Sequence, residues 1–149
     1  MITKLGKQKL EQNLQELKAE LTRTYEERAK AAAEGDLKEN SAYLFYSERA
    51  VVLQTQIAEI MADLKAAVVQ PIPTQNTTIT FGHQITVNFT NDNRQMVITL
   101  VGKNDAHLKP QWISAESPLG IALIGHQQGD TVDVNGQPVT VIEITTGDI

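Results

Sequence analysis

The chain has 149 residues, of which 41% are hydrophobic, and it carries a formal net charge of −5 at pH 7. This length fits one ordinary domain or two small ones, and no apolar run reaches the roughly 18 residues of a membrane-spanning helix. The absence of cysteine excludes disulfides, thiolate catalysis and cysteine-ligated zinc, while the net negative charge argues against broad neutralisation of a nucleic-acid duplex. With no apolar leader at the start, we predict a cytoplasmic location.

The first half of the chain has the apolar spacing of two long helices. No proline interrupts residues 1–70, so two apolar seams can pack against each other as an antiparallel coiled coil with arms of about 30 residues, or roughly 45 Å. The seams, on either side of Gly35, are Leu10, Leu14, Leu17 and Leu21, extended by Tyr25 and Arg28, and then Tyr46, Ala50, Leu53, Ile57, Ile60 and Leu64.

Two carboxylates three positions apart, Asp36 and Glu39, lie at the turn between the helices. Gly35 can end the first helix in a left-handed conformation, Asp36 can cap the second, and Glu39 has the reciprocal capping-box position. The pair can therefore be structural. The same spacing places two carboxylates on one face of a helix, and such oxygens are preferred Mg²⁺ ligands, although two alone make a poor site. The two interpretations are compatible, and both stay open at this point.

The second half has the composition of a small β-domain. Pro71 and Pro73 favour an extended linker near residue 70, and we predict two domains, residues 1–72 and residues 73–149. Four β-rich runs follow the linker, namely Thr78–Phe81, Gln84–Phe89, Met96–Leu100 and Thr140–Ile144, and they predict an antiparallel sheet.

One turn and one short helix complete this half. Asn135-Gly136 predicts a tight hairpin with a type I′ turn. Ser117 can cap a helix that begins at Pro118 and ends at Gly125. The fold class is therefore α+β: an N-terminal antiparallel coiled-coil hairpin followed by a small antiparallel sheet with one helix.

Two strings of residues resemble the Gre family of bacterial transcript-cleavage factors. The first is Gly35-Asp36-Leu37-Lys38-Glu39-Asn40 followed by Tyr43, between two leucine-patterned helices. The second is Ser117–Gly125, followed by Gly129-Asp130 and a terminal Val-Ile-Glu-Ile strand, which is similar to the FKBP-like C-terminal domain of that family. Together the strings cover nearly the whole chain in the order of the family.

The resemblance implies a protein that completes the active site of another. Its coiled coil would enter the secondary channel of bacterial RNA polymerase, where Asp36 and Glu39 would help to hold a Mg²⁺ and its water, so that a backtracked RNA 3′ end is cut. The Mg²⁺ would be shared with the polymerase, and no cofactor would be bound by the chain alone. The chain would stimulate the polymerase's own nuclease activity without being an enzyme itself.

The resemblance also implies further contacts. Lys38, Asn40 and Tyr43 match tip positions that would contact the polymerase active centre, although Lys38 can equally be a solvated charge and Tyr43 a staple between the helices. The run Glu116-Ser117-Pro118 matches the start of a helix that would dock on the coiled coil at the rim of the channel. We expect a monomer with no membrane partner.

The sequence departs from the family pattern just after the tip. Ser41-Ala42 stands where an acidic residue is common, and Ser47 stands where a basic residue is common. Arg49 lies on a different helical face from Ser47, so it can be an RNA contact or a surface charge.

Two alternatives stay open, the second from another class of protein. A Gre-like paralogue could occupy the channel and inhibit transcription without cleavage. A prolyl isomerase or chaperone receives less support, because few aromatic residues are present to line a proline pocket. The three histidines, His83, His107 and His126, are expected to be solvated loop residues without a site.

Overall fold

The computed structural model describes residues 1–36 and 39–149, which form two compact units. Residues 8–67 form one unit, and residues 1–7 together with 68–149 form the other. In these described ranges, no helix combines the length and the apolar character that crossing a membrane requires.

The first unit is the expected helical hairpin. Helix α1 spans Lys4–Ala33 and helix α2 spans Ser41–Ala66, and neither contains a proline. The seam residues Ala50 and Leu53 of α2 are buried, whereas the seam leucines of α1 are half-buried. Polar contacts also join the helices, since Arg49 of α2 binds Glu20 of α1.

The second unit is built on one five-stranded sheet. Its elements are β1 (His83–Phe89), β2 (Arg94–Val101), β3 (Trp112–Ser114), α3 (Pro118–Leu123), β4 (Thr131–Val134) and β5 (Gln137–Thr146). The strand order is β3-β2-β1-β5-β4. The pairs β1–β2, β1–β5 and β4–β5 are antiparallel, but β2 and β3 run parallel. The sheet is therefore mixed, and the prediction of a purely antiparallel sheet was wrong.

Strand β1 has the alternation that places one face of the sheet on the core. Its residues alternate between buried and half-buried from His83 to Phe89, as expected of a strand with one covered face. The buried residues of the main core lie on the strands, α3 and the segment before β1: Ile79, Ile85, Val87, Phe89, Ile98, Leu100, Leu123, Val132, Val139, Val141 and Ile144. A second cluster joins Phe81, Val101 and Trp112.

Local turn chemistry was predicted well in this unit. Asn135 and Gly136 have φ values of 52° and 80°, as a type I′ turn requires. Ser117 caps α3, Pro118 begins it, and Gly125 follows its end with φ 85°.

The predicted strand Thr78–Phe81 was wrong, because this segment belongs to no strand. The Ile79 N–H donates to the His126 carbonyl at 2.9 Å, and the Ile79 carbonyl accepts from the Gly125 N–H at 3.0 Å. Its backbone therefore pairs with the turn after α3.

The N-terminal residues belong to the sheet unit, unlike in the predicted division at residue 72. Ile2 forms a parallel bridge with Val69. The buried carboxylate of Asp105 accepts hydrogen bonds from the Thr3 N–H, the Thr3 hydroxyl and the Gly102 N–H. These contacts attach the first turn of α1 to the unit formed by residues 68–149.

Candidate functional site

The two predicted catalytic carboxylates, Asp36 and Glu39, lie in the turn between α1 and α2, and both residues are exposed. The Glu39 N–H donates to the Asp36 carbonyl at 3.3 Å, which keeps the two backbones close. Both residues line a shallow depression of about 320 Å³ whose other lining residues are Glu34, Gly35 and Asn40. We call the residues that line this depression the acidic tip.

The first helix ends differently from the prediction. Gly35 has no φ in the left-handed range, so the expectation that it ends α1 in that conformation was wrong. The Glu34 N–H instead donates to the Ala31 carbonyl at 3.1 Å, a tightened last turn of the kind that often ends helices. Since α1 closes in this way, no left-handed residue is required there.

The cap of the second helix is Asn40, and the assignment of this role to Asp36 was wrong. The Asn40 backbone is extended, with φ −90° and ψ 94°, and its side-chain oxygen accepts from the Tyr43 N–H at 3.0 Å. Glu39 precedes the cap, so it does not occupy the predicted capping-box position, which belongs to Tyr43. Neither Asp36 nor Glu39 therefore has the capping role that the sequence predicted for it.

Asn40 also reaches across the turn to α1. Its amide nitrogen donates to the Ala31 carbonyl at 2.6 Å, so one side chain binds both helices. The same carbonyl accepts from Glu34, and Ala31 itself is buried. The turn that carries the two carboxylates is thus closed at its base by Asn40.

The other predicted tip contacts have separate outcomes. Tyr43 is half-buried in the first turn of α2, and the predicted contact Lys38 lies outside the described residues. Arg49 donates two hydrogen bonds to Glu20 Oε1, at 3.2 and 2.5 Å, so it serves as a link between the helices. Ser47 points a buried hydroxyl into the hairpin and offers no charge there.

An exposed apolar surface adjoins the tip. Leu44 and Phe45 have 47% and 61% of their surface exposed, so they do not fill the space between the helices. Val51 and Val52 are exposed as well. They follow Leu44 and Phe45 by seven residues each and therefore extend the same helical face.

The described residues of the acidic tip do not form a metal site by themselves. Among residues 1–36 and 39–149, no three His, Asp or Glu side chains are grouped so as to hold a metal ion. Mg²⁺ prefers octahedral oxygen coordination and is commonly bound by one or two carboxylates together with waters and phosphates. Asp36 and Glu39 fit that donor type, but the remaining ligands would have to come from another molecule.

The predicted docking residues form the start of α3. The Ser117 hydroxyl donates to the Ser114 carbonyl at 2.6 Å and accepts from the Gly120 N–H at 3.1 Å. Its side chain is therefore used within the fold, while Glu116 and Pro118 remain exposed. Ile121 is 65% exposed and follows Pro118 by three residues, so it shares this face. The sequence interpretation assigned no role to Ile121.

The histidine prediction was wrong for His83. Its ring has no exposed surface; Nδ1 accepts from the Thr80 N–H at 2.9 Å, and Nε2 lies 2.5 Å from the Gln75 carbonyl. With Nε2 as the donor, both contacts are satisfied by a neutral ring. His83 is thus a structural residue at the start of β1, whereas His107 is exposed.

The fold and the site place the chain in a class of two-domain proteins. In this class a helical hairpin with an acidic tip is joined to a mixed sheet with a short capped helix. Two family models match the chain: "Transcription elongation factor, N-terminal" over residues 1–69, and "Transcription elongation factor, GreA/GreB, C-term" over residues 74–146. The chain belongs to the GreA/GreB family of transcription elongation factors.

Two relatives with known names agree with this assignment. The chain is 34% identical to transcription elongation factor GreA 1 of Lactiplantibacillus plantarum, over 90% of this chain and 85% of the relative. It is 32% identical to transcription elongation factor GreA of Thermotoga neapolitana, over 97% and 96% of the two chains. Among solved structures, GreA factor homolog 1 of Thermus thermophilus matches with 21% identity and a TM-score of 0.45, over 97% of both chains.

Proposed function

We propose that this elongation factor stimulates the cleavage of backtracked RNA by bacterial RNA polymerase. The observation that carries the proposal is the pair of exposed carboxylates in the acidic tip, Asp36 and Glu39. The pair lies at the turn of a long hairpin, and neither helix uses it as an N-cap. Carboxylate oxygens are ligands that Mg²⁺ prefers, so the exposed pair fits a role toward a partner that supplies the remaining ligands. In this proposal the chain acts on the nuclease activity of the polymerase.

The hairpin has the length to deliver this tip into a channel. Helix α2 contains 26 residues, which correspond to about 39 Å at 1.5 Å per residue. An interhelical contact lies part of the way along it, where Arg49 binds Glu20. Such a two-helix arm resists bending better than a single helix, so it can hold the turn firmly at the end of the hairpin.

The proposed chemistry depends on a shared cation. Asp36 and Glu39 are the residues that would hold Mg²⁺ together with ligands of the polymerase. When bound there, the ion would supply charge neutralisation and an activated water for phosphodiester cleavage. The contribution of this chain is the position of the two carboxylates, one acting as ligand and the other orienting the water near the RNA 3′ end.

The remaining contacts follow from the same proposal. Tyr43, in the first turn of α2, and Lys38, by its match to the family's tip in sequence, would contact the polymerase active centre. Glu116 and Pro118, on the exposed start of α3, would dock at the rim of the secondary channel, with Ser117 fixing the helix start. A polymerase partner also implies a cytoplasmic location and a factor that works as a monomer.

Substitution at the tip tests the assignment. Adding Asp36→Ala or Glu39→Ala protein to a stalled elongation complex with Mg²⁺ should reduce the rate of RNA shortening at least about 100-fold, because each carboxylate positions the reacting groups. Competition with the unsubstituted protein should show that polymerase binding is retained. The matched control is Glu34→Gln, another exposed carboxylate of the same depression, which should keep its activity. Normal cleavage by the Asp36→Ala, Glu39→Ala double variant would refute the assignment.

A further inference from the structure

We infer that Asn40 is a positioning residue, which fixes the acidic pair by clamping the two helix ends together. The inference rests on the proposed function, and it assigns to Asn40 a role within the tip in place of the contact with the polymerase expected from the sequence. The relevant observation is that both ends of a single planar amide are used, one for each helix.

The two hydrogen bonds of Asn40 are complementary. Its oxygen accepts from the Tyr43 N–H at 3.0 Å and so satisfies one of the free donors at the start of α2. Its nitrogen donates to the Ala31 carbonyl at 2.6 Å, in the last turn of α1. Because the amide is rigid, the first turn of α2 is held at a fixed position relative to the last turn of α1.

The segment closed by this clamp carries both carboxylates. Asp36 and Glu39 lie between Ala31 and Asn40 in the chain, and Glu39 is the immediate neighbour of Asn40. Holding the two ends of a short loop together reduces its conformational freedom. The clamp therefore limits how far the two carboxylates can separate, and a shared metal site requires that they be placed accurately.

Only an asparagine-like side chain can make both bonds at this position. Aspartate and serine are as effective as asparagine at an N-cap because each offers an oxygen to the helix. Aspartate has no donor for the Ala31 carbonyl, and the serine hydroxyl is too short to cap α2 and reach α1 together. Asn40→Asp and Asn40→Ser thus remove the clamp and keep the cap, whereas Asn40→Ala removes both.

Kinetics in stalled elongation complexes separate a positioning role from a docking role. Asn40→Asp and Asn40→Ser should lower the cleavage rate at saturating factor about 10- to 100-fold, as expected for misplaced catalytic groups. The factor concentration that gives half the maximal rate should stay within about twofold, because no contact with the polymerase is lost and a twofold change is well below the cost of one hydrogen bond. Ser41→Ala, at the exposed neighbouring position, is the matched control and should behave like the unsubstituted protein.

Two kinetic outcomes would overturn the inference. Full cleavage by the Asp and Ser variants at saturation would mean that the clamp is not needed. A change confined to the half-saturating concentration would identify Asn40 as a docking contact. Failure of the unsubstituted protein to stimulate cleavage would instead count against the proposed function, and the geometry of the clamp can be tested without any cleavage.

The geometry of the clamp can be tested by a distance measurement on the free protein. The chain has no cysteine, so spin labels on Glu34→Cys and Ser41→Cys report the short separation across the turn by dipolar broadening in continuous-wave electron paramagnetic resonance. Adding Asn40→Ser should broaden the distance distribution, while helix content measured by circular dichroism stays unchanged. An unchanged distribution would overturn the clamp, whatever the result of the cleavage assay.

Discussion

Asp105 is a fully buried carboxylate that ties the start of the chain to the sheet unit. It accepts from the Thr3 N–H at 3.0 Å, from the Thr3 hydroxyl at 2.6 Å and from the Gly102 N–H at 3.1 Å. Three donors offset the desolvation that would otherwise make a buried carboxylate costly. The arrangement also requires a glycine at position 6, because a Cβ there would lie 1.7 Å from Asp105 Oδ1.

Gly6→Ala should therefore lower the free energy of unfolding of the sheet unit by roughly 2 to 4 kcal/mol, since the new methyl group displaces the carboxylate from its donors. Urea unfolding followed by Trp112 fluorescence measures this loss, because Trp112 packs in a cluster with Leu5. The control is Gly35→Ala, where nothing lies within 4 Å of an added Cβ and stability should not fall. Equal stability of the Gly6→Ala and unsubstituted proteins would contradict this account.

Residue roles that depend on distant partners were not predictable from the sequence. The hydrogen bonds between Asp105 and Thr3 join residues that are 102 positions apart, and no local sequence pattern predicts them. His83 was expected in solvent because isolated histidines often are, yet its two nitrogens meet backbone groups of Gln75 and Thr80. The cap of α2 was placed at Asp36 because both aspartate and asparagine suit that role, and only the geometry distinguished them.

At the scale of elements, strong periodicity made the long helices and turns predictable. The apolar seams predicted α1 and α2, and Asn135-Gly136 predicted the hairpin between β4 and β5. Strand β3 was missed because Trp112–Ser114 has only three residues and pairs in parallel with β2, a partner that no short-range signal identifies. Thr78–Phe81 has the composition of a strand, but its backbone is taken by the turn after α3.

The link between Glu20 and Arg49 should contribute modestly to the hairpin. Their side chains are 38% and 40% exposed, so water screens the attraction and its coupling energy should be about 0.5 kcal/mol. A double-mutant cycle with Glu20→Ala and Arg49→Ala, followed by far-ultraviolet circular dichroism, measures this term. Strict additivity of the two substitutions would mean that the pair contributes nothing. Cleavage by Arg49→Ala should stay near normal, because the guanidinium is already engaged within the hairpin.

At the scale of the whole molecule, the sequence predicted the two parts of the chain and placed their junction near residue 70. The contacts assign residues 1–7 and 68–72 to the sheet unit, because Ile2 pairs with Val69 and Thr3 with Asp105. These contacts join residues that are far apart in the chain, so local composition does not predict them. The location of Asp36, Glu39 and Asn40 between the two helices was predictable, since these residues are close together in the sequence, while their role stays a prediction.

The central claim is that this chain completes a cleavage site of RNA polymerase instead of merely occupying it. The most direct measurement is the length of the RNA in a stalled bacterial elongation complex after the protein and Mg²⁺ are added. The account predicts shortened RNA that is extended again when nucleotides are supplied. RNA of unchanged length, together with slower nucleotide addition, would contradict it.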